Sequence, residues 1–167
     1  MDHDWITPRI ALGAAVEDRH DAHELLIQGI THVVNLYLGH PDDSYFGGSD
    51  VSLHYFGIFD GENDPDLARA NINGAIEAVR GALAAAPHHK VYVHCAAGIS
   101  RSAAVVVGYL MRSEELSMAE ALRRVRDCRP CVNPHPAHLM TLLEIFRAPD
   151  PATNQNATPT WRYGPQV

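Results

Sequence analysis

Short apolar segments alternate with longer amphipathic segments along most of this chain. Four apolar runs have the length of strands. The predicted strands are 9–13, 31–36, 51–58 and 90–94. The other segments repeat apolar residues every three or four positions, which predicts helices. The predicted helices are 18–28, 64–86, 102–112, 117–128 and 136–147.

Two of these helix starts carry capping residues. Asp64 precedes Pro65, and an aspartate followed by a proline at the first helical position is a typical N-terminus. Ser117 and Glu120 have the spacing of a capping box, in which each side chain satisfies a backbone N–H of the other residue.

Strands that alternate with helices, followed by a run of helices, predict an α/β fold. We expect a central, mostly parallel twisted sheet flanked by helices, in three layers. Ligands of such sheets bind beyond the carboxyl ends of the strands. The segment that follows Val93 lies at that edge.

The composition limits the function classes. The chain has 167 residues, 46% of them hydrophobic, which predicts one domain at 1–148 followed by a flexible tail rich in proline and polar residues at 149–167. The net charge of −7 argues against a nucleic-acid surface. No apolar run approaches the ~20 residues of a membrane span. Three cysteines and no secretory signal favour the cytoplasm.

The segment 95–101 joins a predicted strand to a predicted helix, so its backbone N–H groups can converge on one anion. Ala96, Ala97 and Gly98 permit a tight turn around that anion. Cys95 supplies a nucleophile and Arg101 a bidentate cation. Such surroundings lower a cysteine pKa from ~8.5 to ~3.5–7.5, so we expect a thiolate at neutral pH.

The alternative is that Cys95 is only a small apolar residue after a core strand. That alternative does not account for an arginine placed six residues later, after a turn of small residues that opens a helix. The pattern therefore favours chemistry at Cys95.

The stretch from His94 to Ser102 resembles the signature loop of the cysteine-dependent protein phosphatases, in particular their dual-specificity subfamily. A looser similarity extends from about Ile6 to Phe146 and includes the pair Arg129 and Pro130. The resemblance implies a phosphatase-like three-layer sandwich and a phosphomonoester hydrolase that needs no metal and no cofactor.

The resemblance also implies roles for individual residues. Cys95 would form a phosphocysteine, Arg101 would hold two phosphoryl oxygens, and Ser102 would help the sulfur leave. His94 would order the loop through its ring. The remaining phosphate-binding backbone N–H groups would belong to Ala96, Ala97, Gly98, Ile99 and Ser100.

Hydrolysis with a poor leaving group needs a general acid, and three carboxylic acids follow the strand that ends near Ile58. Asp60 is favoured, because it directly follows the carboxyl end of that strand and precedes a glycine. Asp64 has a competing explanation as a helix cap. Glu62 follows the strand at a distance similar to that of the acid in some members of the family that this sequence resembles, but its residue type differs from that acid.

Other interpretations remain open. A sulfurtransferase or an arsenate reductase also presents a cysteine in an anion-binding loop, and a non-catalytic module could bind phosphoproteins on the same scaffold. Zinc could bind to a group of cysteines and histidines, namely Cys128, Cys131, His135 and His138. The indication is weak, because the spacing of these ligands is too tight. Cys128 or Cys131 could instead resolve an oxidised Cys95.

The expected partner is a phosphorylated protein or a small phosphomonoester, without nucleic acid or membrane. No lysine lies between Cys95 and Arg101, which disfavours an inositol phospholipid substrate by comparison with relatives that act on such lipids. The sequence predicts no oligomeric state.

Overall fold

A five-stranded sheet with five helices forms the fold. The computed structural model describes residues 1–147, and the predicted flexible tail at 149–167 lies outside this range. The strands are β1 (His3–Thr7), β2 (Ile10–Gly13), β3 (His32–Tyr37), β4 (Ser52–Ile58) and β5 (Val91–His94). The helices are α1 (Arg19–Ile27), α2 (Pro65–Ala85), α3 (Arg101–Ser113), α4 (Met118–Cys128) and α5 (Pro136–Arg147).

The sheet has the order β1-β2-β5-β3-β4. Strands β2, β5, β3 and β4 are parallel, and β1 pairs antiparallel with β2 at the edge. The predicted α/β fold with a mostly parallel sheet is therefore confirmed. The edge strand β1 was not predicted, because only Ile6 in this segment is buried and its polar residues hide the strand pattern.

Side chains from the two faces of the sheet enter separate hydrophobic clusters. In β5, Val91 and Val93 face the cluster covered by α2 to α5, whereas Tyr92 faces the cluster that includes Leu25 of α1. Complete burial of such side chains contributes roughly 1.5–3 kcal/mol each relative to exposure. The sheet therefore lies between two helical layers, as expected for a three-layer sandwich.

Both predicted caps form in the structure. The Asp64 carboxylate accepts a hydrogen bond from the Leu67 N–H at 3.0 Å. Ser117 and Glu120 form the reciprocal capping box at the start of α4. Caps of this kind stabilise a protein by about 1 kcal/mol each.

The register of the four parallel strands brings the segments that follow them to one edge. Gly13 of β2 and Asn35 of β3 both pair with His94 of β5, and Tyr37 pairs with Ile58 of β4. The segments that follow these strands consequently leave the sheet on the same side, and the Cys95 loop lies between those that follow β2 and β3.

No helix within residues 1–147 combines the length and the apolar character that crossing a membrane requires.

Candidate active site

The backbone carbonyls of the Cys95 loop are held by groups outside the loop. Ala96 O accepts from the Ala15 N–H at 3.0 Å, and Ile99 O accepts from the Asn133 N–H at 2.9 Å. The Ala97 and Gly98 carbonyls accept from one guanidinium, described below. Because successive carbonyls are anchored outside, the loop amides are free to face the interior of the turn, where they can bind an anion.

Gly98 is required by the path of this loop. Its φ of +66° lies in the left-handed region, and a Cβ at this position would lie 2.4 Å from the backbone carbon of Gly13. The loop therefore passes directly against the end of β2. A side chain at Gly98 would displace it.

The N-terminus of α3 also points its free N–H groups toward the loop. Ser100 precedes this helix but makes no capping bond, because its Oγ accepts from the His135 N–H at 3.0 Å. The first N–H groups of α3 and the helix dipole are therefore available to a bound anion.

Cys95 lies at the base of this turn and is 1% exposed. The Ser102 hydroxyl donates to its Sγ at 3.2 Å. Burial raises the pKa of the Cys95 thiol, but hydrogen bonds from Ser102, the positive charge of Arg101 and the Gly98 amide outweigh burial, so the pKa falls below its ordinary value. The arrangement favours a thiolate.

Arg101 lies beside the thiol with its guanidinium 6% exposed. Its Nη1 donates to Ile58 O at 3.2 Å, and its carbon Cζ lies 5.2 Å from the ring centre of Tyr37. Within residues 1–147 the buried Nε has no hydrogen-bond partner. Nε and Nη2 can therefore donate together to two oxygens of one phosphoryl group.

The His94 ring contacts the base of the loop and a buried carboxylate. Its Nδ1 lies 3.4 Å from Cys95 O, and its Nε2 lies 2.9 Å from Asp42 Oδ2. The same Asp42 oxygen accepts from Asn35 Nδ2 at 2.9 Å. All three of these side chains are buried, so they hold the base of the loop in one arrangement.

Arg129 is the main side-chain anchor of the loop. Its Nε donates to Gly98 O at 3.0 Å and its Nη2 to Ala97 O at 3.2 Å. The other side of the guanidinium pairs with Asp2 at 2.8 Å and Asp4 at 2.7 Å, both from the β1 segment. The hydrogen bonds with Arg129 lower the pKa of Asp2. Two acidic residues thus fix the arginine that fixes the loop.

Of the three candidate acids, only Asp60 forms an ion pair with Arg101 in the part of the chain that the structure describes. Its Oδ2 lies 3.9 Å from Arg101 Nη2, and its carboxylate is 48% exposed. Asp64 is occupied as the cap of α2. Glu62 is exposed and lines a groove of about 280 Å³.

The turn that carries Asp60 is closed by Asn63. The Asn63 Oδ1 accepts from the Phe59 N–H at 2.8 Å, and its Nδ2 donates to Phe59 O and Gly61 O at 3.1 and 3.0 Å. This side chain fixes the acid turn without a contact to the phosphate-binding loop.

The residues weighed for zinc do not form a ligand group within residues 1–147. Cys128 is half-buried with its sulfur 3.9 Å from Ile6 O, and Cys131 is exposed. His138 instead lies beside Asp60, with its Nε2 3.5 Å from Asp60 Oδ1. A redox role for Cys128 or Cys131 stays a prediction.

Comparison with known proteins agrees with this geometry. Residues 13–148 match the family described as dual specificity phosphatase, catalytic domain. The chain belongs to the dual specificity phosphatases. As a member of this family it is a cysteine-dependent phosphoester hydrolase, and a sulfurtransferase, an arsenate reductase or a binding module is not favoured.

Individual relatives show the same relationship. Dual specificity protein phosphatase 26 of Bos taurus is 32% identical over 148 residues, which cover 86% of this chain and 67% of the relative. Dual specificity protein phosphatase 13B of Homo sapiens is 36% identical over 132 residues, covering 75% of this chain and 64% of the relative. The chain thus spans about two thirds of their length.

Solved structures resemble the fold closely. The crystal structure of human DUSP28 has a TM-score of 0.70 and 28% identity, and covers 89% of this chain and 97% of the solved chain. The crystal structure of PTPMT1 has a TM-score of 0.72 at 22% identity, covering 87% of this chain and 94% of that one, which shows likeness of fold alone.

Sequence reasoning missed several residues around this site. Asp42 and Asn35 carried no signal, because the first lies in a polar loop and the second within an apolar strand. Arg129 was noted only through the family resemblance, and its partners Asp2 and Asp4 lie next to and within the strand that was not predicted. His138 was considered only as a metal ligand.

Proposed function

We propose that this chain hydrolyses phosphotyrosine, phosphoserine or phosphothreonine monoesters through a phosphocysteine on Cys95. The Cys95 thiolate attacks phosphorus, the bond from phosphorus to the ester oxygen breaks, and Asp60 donates its proton to that oxygen. Arg101 binds two of the phosphoryl oxygens.

In the second step water attacks the phosphocysteine and Asp60 accepts a proton from this water. The sulfur–phosphorus bond breaks and phosphate is released. The Ser102 hydroxyl stabilises the departing thiolate by donating to it, as its 3.2 Å distance from the sulfur allows. Asp60 ends the cycle with the proton it had at the start, so no other reactant is consumed.

One observation carries the proposal: a buried cysteine of lowered pKa lies inside a turn whose carbonyls are anchored outside, beside a guanidinium with unused donors. The loop amides and Arg101 can balance the charge that the phosphoryl group develops in the transition state. For the amides of Ala96, Ala97, Gly98, Ile99 and Ser100 we propose phosphate binding.

The partner class follows from the same site. Phosphorylated proteins are the substrates that the family implies, and small phosphomonoesters would fit the same chemistry. We propose a cytoplasmic location without nucleic-acid or membrane binding, on the basis of the net charge of −7 and three free cysteines.

The test is hydrolysis of p-nitrophenyl phosphate and of matched peptides that carry phosphotyrosine or phosphothreonine. We expect turnover that vanadate inhibits and that falls by a factor on the order of 10⁴ or more in Cys95→Ser, since a hydroxyl is hardly ionised at neutral pH. Cys131→Ser, which alters an exposed cysteine, is the matched control and should retain full activity. Undiminished turnover in Cys95→Ser would refute the proposal.

A further inference from the structure

We propose that His138 is a positioning residue for Asp60. When substrate binds, its Nε2–H would donate to Asp60 Oδ1, which leaves Oδ2 directed toward Arg101 and the bound phosphoryl group. The inference rests on the proposed function, in which Asp60 is the general acid.

The two oxygens of the Asp60 carboxylate have different neighbours. Oδ1 lies 3.5 Å from His138 Nε2, and Oδ2 lies 3.9 Å from Arg101 Nη2. Since Arg101 faces the phosphate-binding turn, a proton carried on Oδ2 lies on the side from which a leaving group departs. A donor to Oδ1 therefore selects the productive orientation of the carboxyl group.

His138 is buried, but its Nε2 has no hydrogen-bond partner within residues 1–147. The side chain, on α5, is 1% exposed. Nε2 is completely buried and forms no hydrogen bond of ordinary geometry within residues 1–147. A buried polar nitrogen left without a partner costs about 1–3 kcal/mol. Contraction of the 3.5 Å distance toward an ordinary ~2.9 Å when substrate binds would remove this cost.

The protonation state suits a donor that adds no charge. Burial lowers the pKa of His138, and the charge of Asp60 only partly offsets burial, so the ring is neutral at pH 7. The other titratable groups near the ring or along its groove are Arg101, His135, Glu62 and Glu144. A neutral ring in the Nε2–H tautomer can donate to Asp60 throughout the neutral pH range.

The hydrogen bond from His138 should stabilise Asp60 in the step in which Asp60 donates its proton. As Asp60 transfers its proton, negative charge grows on the carboxylate, and the bond from Nε2–H becomes charge-assisted and stronger. The contact should therefore matter for leaving groups that need protonation, and little for those that depart unaided.

The first experiment compares His138→Phe, which removes the donor and keeps an aromatic ring, with His138→Gln, which keeps an amide N–H near the same place. For phenyl phosphate, a poor leaving group, we expect kcat/KM to fall about fivefold to tenfold in His138→Phe and to recover to within about twofold in His138→Gln. For p-nitrophenyl phosphate the loss in His138→Phe should stay below about twofold.

A double variant separates the positioning role of His138 from the assignment of Asp60 as the general acid. In an Asp60→Asn background, His138→Phe should cause no further loss. A loss that persists there, or that is equal for both substrates, would overturn the positioning role. A single Asp60→Asn variant without a leaving-group-dependent loss would instead overturn the assignment of the acid, and the inference with it.

A measurement on the unaltered protein does not depend on whether the variants fold. Nitrogen-15 NMR of the His138 ring should show a neutral imidazole with its hydrogen on Nε2, and a chemical-shift change at Nε2 when vanadate occupies the site. A hydrogen on Nδ1 alone would overturn the proposal.

Discussion

The phosphate-binding loop and the acid turn differ in how they are held. The loop at 95–100 is anchored by partners from several parts of the fold, and its cysteine is 1% exposed. The acid turn at 59–63 is closed mainly by its own Asn63, and its Asp60 carboxylate is 48% exposed. In the proposed reaction the first region binds the phosphoryl group common to all substrates, whereas the second faces leaving groups of different size. The phosphate-binding loop is thus held by residues distant in sequence, whereas the acid turn is held mainly by a residue of its own.

Among the tests of this comparison, the largest expected effect falls on the acid turn. Asp60→Asn removes the transferable proton, so kcat/KM for phenyl phosphate should fall by about 10²–10⁴, and that for p-nitrophenyl phosphate much less. Steady-state kinetics with both substrates measures the contrast. Asp64→Asn is the matched control, because asparagine caps a helix as well as aspartate and activity should be kept. A larger loss in Asp64→Asn than in Asp60→Asn would reverse the assignment.

The second prediction concerns the phosphate-binding loop. Arg129→Met leaves the Ala97 and Gly98 carbonyls without their anchor, so the free energy of unfolding should fall by about 2–4 kcal/mol. Activity should fall by a similar factor for good and poor leaving groups. Urea denaturation and kinetics measure the two effects. Arg123→Met, at an exposed position on α4, should change neither. A loss confined to poor leaving groups would contradict the separation of the two regions.

The third prediction concerns the sulfur itself. Because the Ser102 hydroxyl lowers the pKa of Cys95, Ser102→Ala should raise that pKa. The thiolate is the active form, so the rise of activity with pH should move to higher pH. Alkylation by iodoacetate as a function of pH measures the pKa directly. An unchanged alkylation profile would exclude the hydroxyl as a stabilising donor.

The smallest effect lies far from the chemistry, where burial lowers the pKa of His54 on β4. A histidine whose pKa is lower in the folded state destabilises the fold as pH falls from its unfolded pKa of ~6.5 through the folded value. His54→Phe should therefore reduce the loss of melting temperature between pH 7.5 and pH 5.5. His88→Phe, at an exposed position, is the control. An equal pH dependence in both variants would contradict this expectation.

Several features of the fold and the site could be predicted because they depend on neighbours in sequence. The start of α2 at Pro65 and the capping box at Ser117 are local interactions. The turn from Cys95 to Arg101 also forms from consecutive residues at the end of one strand. The edge strand β1 was missed because its pairing with β2 is decided by register and not by its own pattern.

The roles of Arg129 and His138 could not be read in the same way. Arg129 is separated from Asp2 by 127 positions in the chain, and His138 from Asp60 by 78, so no periodic pattern connects them. Both contacts arise only when α4 packs against β1 and α5 packs against α2 and α3. Residues distant in sequence therefore complete both the phosphate-binding loop and the acid turn.

The sequence by itself determined the alternation of strands and helices, the helix caps and the consecutive residues that form an anion-binding turn, because these depend on interactions within a few positions. Only the tertiary structure decided which of three acids lies beside Arg101 and which residues anchor the turn. The physical reason is that burial, charge and hydrogen-bond geometry at a site are set by side chains that approach from separate elements, and their distances exist only after the chain has packed.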